Sequence, residues 1–117
     1  MSTASVKETH LHRFNYQIDK LEEERGQLTR DADEALTMQH DYLQAVLFLQ
    51  QATIVDGALL LVRMALIAYE AEGVKGVDAL ELKRLGANAY DLGHGQEVDI
   101  YRATTAKFMN VLSLILR

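Results

Sequence analysis

Metal or acid–base chemistry in this 117-residue chain would have to start from four histidines and seventeen acids, because cysteine is absent. That absence removes disulfides, thiolate ligands and cysteine nucleophiles. His10 and His12 stand two apart. On a helix their side chains diverge by roughly 200°, so they could share a metal only in a frayed tail, and they read as solvated surface histidines. His40-Asp41 has the composition of a base with an orienting acid. Adjacent residues on a helix do not face each other, so His40 is expected on a polar helix face. His94 lies between Gly93 and Gly95 and reads as part of a turn between helices.

The acids do no better. No Glu has a His three residues later, as facing helices of a di-iron bundle need, and His-Glu-x-x-His is missing. Asp31-Ala-Asp33 lacks the following Asn/Asp, the glycine and the distal Glu of a calcium loop. Glu22, Glu23 and Glu24 are consecutive and solvated rather than a catalytic pair. Gly93-His94-Gly95 has neither the third glycine nor the preceding strand of a dinucleotide site. No Walker motif and no Gly-x-Ser-x-Gly occurs. The expectation is a protein that is not an enzyme, with no catalytic residue, no cofactor and no metal.

The elements that carry these residues are helical. Proline is absent, so no backbone donor is removed anywhere, and helix-forming residues dominate. Ser5-Val6-Lys7-Glu8 reads as a capping box after a short flexible tail, residues 1–5. From there Leu11, Phe14, Ile18, Leu21, Arg25, Leu28, Ala32, Ala35, Gln39, Tyr42, Val46 and Leu49 fall alternately three and four apart. That spacing predicts one helix over 6–51 with a coiled-coil-like seam. Thr53 and Asp56 suggest a second capping box, and with Gly57 they place a kink or break between 51 and 57. A helix continuing unbroken to Glu72 is the alternative.

The stretch 53–72 is the most apolar in the chain. Asp56, Arg63 and Glu70 lie seven apart on one line, and nearly all the rest of the circumference is apolar. A helix with a single thin polar line must be covered on most sides. Lipid is a poor cover. About nine large apolar residues contribute roughly −0.3 to −0.6 kcal/mol each, while a central Arg and an Asp each cost about 2.5–3.5. Membrane association is therefore unfavourable, though conditional insertion after loss of a partner stays open. Gly73-Val-Lys-Gly76 reads as the next turn, and Asp78 with Glu81 as an N-cap pair. A short helix over 79–92 would present Leu82, Leu85, Ala89 and Leu92, and a C-terminal helix over 96–117 would present Val98, Tyr101, Thr105, Phe108, Leu112 and Ile115.

Charge narrows the partners. The net charge is −5. Residues 1–73 hold 6 Lys+Arg against 12 Asp+Glu, and residues 74–117 hold 6 against 5. An acidic half does not attract phosphate backbones, which argues against nucleic acid. Squeezing Leu80 to Ile100 into a helix-turn-helix leaves only Lys83, Arg84 and Arg102 as basic contacts, too few base-reading side chains. Met1 to His10 has no apolar core, so the expected location is cytoplasmic, or exported without a Sec-type signal peptide.

The final residues, Asn110-Val111-Leu112-Ser113-Leu114-Ile115-Leu116-Arg117, resemble the end of bacterial flagellin, with one residue inserted here. The likeness covers these eight residues, and flagellin's N-terminal pattern is missing. It implies a helical subunit whose terminal helices pair in an exported filament.

Together these features predict one all-α domain: a long N-terminal helix folded back on two or three shorter helices as an elongated antiparallel hairpin or bundle. The expected role is a non-enzymatic assembly module, a homo-oligomer or partner-bound protein serving as adaptor, chaperone or structural subunit. The expected partner-binding residues are Leu60, Leu61, Met64, Ile67, Leu112, Leu114 and Leu116. The alternatives are a small acidic immunity or inhibitor protein that masks a basic partner, and an exported helical filament subunit.

Overall fold

The computed structural model of the chain describes residues 3–81 and 96–117. Four helices account for them: α1 (Thr3–Thr37), α2 (Tyr42–Glu72), α3 (described over residues 74–81) and α4 (Gln96–Leu116). Among the described residues there is no strand. The protein is all-α, with α1 folded back along α2 as an antiparallel hairpin. Arg25 meets Asp56, Arg63 meets Glu22 and His10 meets Tyr69, so the paired positions run in opposite directions. α4 lies on the same side of the hairpin. Lys107 pairs with Glu24, and Arg13 bonds the carbonyls of Ile115 and Arg117. α4 is therefore antiparallel to α1 and parallel to α2.

The three-four spacing on α1 becomes its buried face. Phe14, Leu21, Ala32 and Ala35 are buried, and Leu11, Ile18, Arg25 and Leu28 are half-buried between them. α2 contributes Val55, Ala58, Leu59, Val62, Ala65 and Tyr69 to the same core, and α4 contributes Phe108, Val111, Leu112 and Ile115. The molecule measures 55 × 32 × 18 Å with a radius of gyration of 16.4 Å. A compact domain of this length would have about 13 Å. The bundle is elongated and thin, and among the described residues one side of α2 has no layer beyond it.

Several helix boundaries differ from the sequence expectation. The helix predicted over 6–51 ends at Thr37, and α2 starts at Tyr42, not at 53. The connection closes on three backbone bonds: Met38 and Gln39 donate to the Glu34 carbonyl at 2.9 and 3.2 Å, and Asp41 donates to Ala35 at 2.8 Å. His40 takes a left-handed φ of 52° to make this reach. It therefore sits in the turn, not on a polar helix face. Asp41 is the N-cap of α2, its carboxylate accepting from the Gln44 N–H at 3.0 Å. That side-chain bond satisfies one of the open donors at a helix start. The seam spacing ran on through the turn, and so concealed it.

No break occurs at 51–57. Thr53 is not a cap: its hydroxyl donates to the Leu49 carbonyl at 2.9 Å inside the helix. Gly57 serves packing. A Cβ there would meet Thr104 Cγ2 at 2.8 Å, so the missing side chain lets α4 approach α2. The capping box at Ser5 is also absent, because α1 is already helical from Thr3.

The turn predicted over 73–76 contracts to one residue. Gly73 ends α2 with φ 68° and ψ −151°, donates to the Tyr69 carbonyl at 2.7 Å, and its own carbonyl accepts from Gly76 and Val77. Only glycine is at ease in this backbone region. Asp78 is then inside α3 rather than at its N-cap. Gly76 is pressed on α2, where a Cβ would lie 2.6 Å from the Ala68 carbonyl oxygen. Leu82, Leu85, Ala89, Leu92 and the Gly93-His94-Gly95 turn lie outside the described residues.

Candidate interaction surface

The charged line on α2 explains which way the helix faces. Asp56 is bonded by Arg25 at 2.9 Å, and Arg63 bonds Glu22. Both pairs bridge to α1 and border the buried seam. They stay about half open to water, and exposed pairs contribute at most about 1 kcal/mol each. Their value is in setting register. With α1 on one flank and α4 on the other, the outward stripe of α2 is Val46, Gln50, Thr53, Leu60, Met64 and Ile67. All six are exposed, with Leu60 at 59% and Ile67 at 69%. The stripe carries no charge.

Beside it, Thr53, Gly57, Leu60, Ile100, Tyr101 and Thr104 line an open groove of about 550 Å³ between α2 and α4. At the far end the hairpin tip adds Met38 at 75% exposed, Leu43 at 71%, and the exposed Leu36, Leu47 and Leu49. α2 is the one helix among the described residues long and apolar enough to cross a membrane, and only 33% of its most apolar window is buried. Monomeric proteins rarely leave contiguous apolar area of this extent open.

The seven residues expected to bind a partner divide. Leu60, Met64, Ile67 and Leu114 are on the surface, whereas Leu61 and Leu116 pack partly against the core. Leu112 is 5% exposed and belongs to the core itself, so it is not open to a partner. The reason is Arg13, whose guanidinium donates to Ile115 O at 3.3 Å and Arg117 O at 2.8 Å. A cation there satisfies the open carbonyls of the last helical turn and suits the helix dipole. It ties the apolar C-terminus to α1. The tip residues were missed because the continuous seam had assigned Tyr42, Val46 and Leu49 to the inside. The signal that could have found them is Asp41-Tyr-Leu-Gln44, a capping pattern in the middle of the supposed helix.

The chemistry-bearing residues stay apart. His10 is buried, not a surface histidine, and its Nδ1 lies 2.7 Å from the Tyr69 hydroxyl. Its ring also packs edge-on against Tyr69, which touches Phe14. Burial pushes the Tyr69 phenol above its usual pKa, so the hydroxyl stays protonated and can donate to Nδ1. This is a structural pair inside the core. His12 is exposed on the opposite side of α1. Among the described residues no group of three or more His, Asp or Glu is placed to hold a metal ion. Glu22 and Glu24 are taken up by Arg63 and Lys107.

Fold and surface thus define a thin all-α hairpin bundle in which, among the described residues, α2 presents an exposed apolar face. Comparison with known proteins places it no further: no family model, curated protein or solved structure matches this chain.

Proposed function

We propose that the chain is a non-enzymatic protein–protein assembly module, of the kind that serves as adaptor, chaperone or structural subunit in a secretion or phage-like assembly. The observation that supports this is the outward stripe of α2. Its large side chains, Val46, Leu60, Met64 and Ile67, are 42–69% exposed along the length of the helix. Covering a half-exposed Leu or Ile contributes on the order of 1 kcal/mol, so a partner that covers the whole stripe gains several. An acidic inhibitor draws less support, because two acids of its proposed face, Glu22 and Glu24, are already paired within the chain.

The test is light scattering of the purified chain together with an environment-sensitive apolar dye. An oligomer, or a monomer that binds dye until a partner is added, supports the reading. A monodisperse monomer that bound no dye would overturn it.

A further inference from the structure

We infer that the partner covering α2 is a second copy of this chain, packed antiparallel through a two-fold axis beside Leu60. This rests on the assembly reading above and names its partner.

Between Thr53 and Ile67 the exposed stripe of α2 can face its own copy across a two-fold axis. A two-fold contact uses the same patch on both copies, so its sequence must be self-complementary about the axis. With the axis at Leu60, that residue meets its own copy, and Thr53 meets Ile67 of the other chain. All three are exposed and uncharged. The rim makes the stronger argument. In an antiparallel two-fold pair, the α1 side of one copy faces the α1 side of the other. Asp56 and Arg63 stand on that side, three or four residues to either side of the axis, so each falls opposite its counterpart of opposite sign. Their side chains are 62% and 46% exposed despite their intrachain bonds, which leaves each able to accept a second partner. The crossing then links Glu22, Arg63, Asp56 and Arg25 of alternating sign across the interface. In a parallel two-fold pair the α1 sides fall on opposite rims, so Asp56 and Arg63 do not meet their counterparts and none of this is gained.

The stripe itself is a small contact, so the pairing leans on its rims. About an axis at Leu60 the stretch that pairs stripe with stripe runs from Thr53 to Ile67, about 21 Å long at 1.5 Å per residue and about 10 Å wide. That footprint is part of the roughly 800 Å² per partner of a standard interface. The rest comes from the rim charges and the α4 edge at Tyr101, itself exposed.

The chain has no cysteine, so single cysteines report geometry without background. Leu60→Cys should cross-link to its own copy under mild oxidation, since a disulfide needs Cα atoms about 4.4–6.8 Å apart. Leu43→Cys should not, because the antiparallel contact separates the two copies by about 50 Å. Charge reversal gives a second reading. Asp56→Arg or Arg63→Asp alone should weaken dimerisation at least tenfold in sedimentation equilibrium, and the double reversal should recover most of it. The intrachain bonds to Arg25 and Glu22 are not restored by the double reversal, so recovery can come only from the contact between copies. Cross-linking through Leu43→Cys in place of Leu60→Cys, or additive losses in the double variant, would overturn the arrangement. A monomer that binds dye, or one that associates only with phospholipid vesicles, would overturn the second copy while leaving the apolar surface real. A monomer without dye binding would remove both readings.

Discussion

The two ends of the α1–α2 hairpin are built from similar residues and have opposite fates. At the base, Phe14, Leu21, Val62, Tyr69, Val77 and Ile115 converge from four helices, and each is at most 4% exposed. At the tip, Leu36, Met38, Tyr42, Leu43, Val46 and Leu47 come from two helices and the turn between them, and each is at least 43% exposed. Hydrophobicity does not separate the two sets. What separates them is reach: α4 docks its C-terminus against Arg13 near the base, and the described contacts of its N-terminal half, at Thr104, fall on Gly57, well short of the tip. Two antiparallel helices alone offer each residue only one neighbouring surface. A third helix turns that surface into a core.

The largest expected effect follows directly. Phe14→Ala should destabilise the chain by about 3–5 kcal/mol, the loss typical of a buried aromatic. Leu43→Ala should stay within about 0.5 kcal/mol, as surface changes do. Urea denaturation of both variants measures the contrast. If Leu43→Ala cost as much as Phe14→Ala, the tip would be covered in solution and the comparison would collapse.

Glycine substitutions sharpen the same contrast through their sign. Gly76→Ala puts a methyl group 2.6 Å from the Ala68 carbonyl oxygen at the crowded base. Backbone cannot swing aside as a side chain can, so a loss of about 1–3 kcal/mol is expected from overpacking. Gly26→Ala, midway along α1, meets only the flexible end of Arg30 at 3.4 Å. There the usual helical advantage of alanine should appear, a gain of about 0.5–1 kcal/mol. Thermal melts of the two variants should move in opposite directions.

The pair of His10 and Tyr69 belongs to the base, and it makes that end sensitive to alkali. Tyr69→Phe leaves His10 Nδ1 without its hydroxyl partner and should cost about 1–2 kcal/mol at neutral pH. Burial raises the folded phenol above its unfolded value, which is about 10. Below that value both states are protonated, and the stabilisation is fully present. Above it the unfolded chain loses its proton first, so stability falls as pH rises. Tyr69→Phe should flatten this decline above about pH 10. An unchanged slope would show that other groups dominate it.

How much of this was legible in the chain depends on how far apart the partners are. The seam from Leu11 to Ala35 shows in three-four spacing alone, because a helix must turn its apolar stripe inward whatever lies opposite. The all-α class follows from the same periodicity. The outward position of Leu60, Met64 and Ile67 was also within reach, since Asp56 and Arg63 mark where a charged partner could approach. Leu112 was not. An apolar last turn looks the same free or docked, and the residue that docks it, Arg13, is 104 positions away from Arg117. The His10–Tyr69 bond spans 59 positions and leaves no local mark. Gly57 misled for a different reason: glycine that admits a neighbouring helix and glycine that breaks its own are the same letter. The turn at 38–41 contains neither glycine nor proline, and its only local sign was Asp41 with Gln44.

That turn yields the smallest effect and the finest test of the contrast. His40 holds φ at 52° with an ordinary side chain, in a region that costs an L-residue roughly 1–2 kcal/mol. Glycine adopts it freely but loses about 0.5–1 kcal/mol more backbone entropy on folding. His40→Gly should therefore stabilise the chain by about 0.5 kcal/mol, and Asp41→Ala, which removes the cap beside it, should cost about 1 kcal/mol. Neither residue touches the base. Hydrogen exchange should accordingly respond in the amides of the first turn of α2 and leave those around Phe14 and Tyr69 unchanged. If protection at the base moved in step with the tip, the two ends would unfold as one unit, and the difference between them would be one of exposure alone.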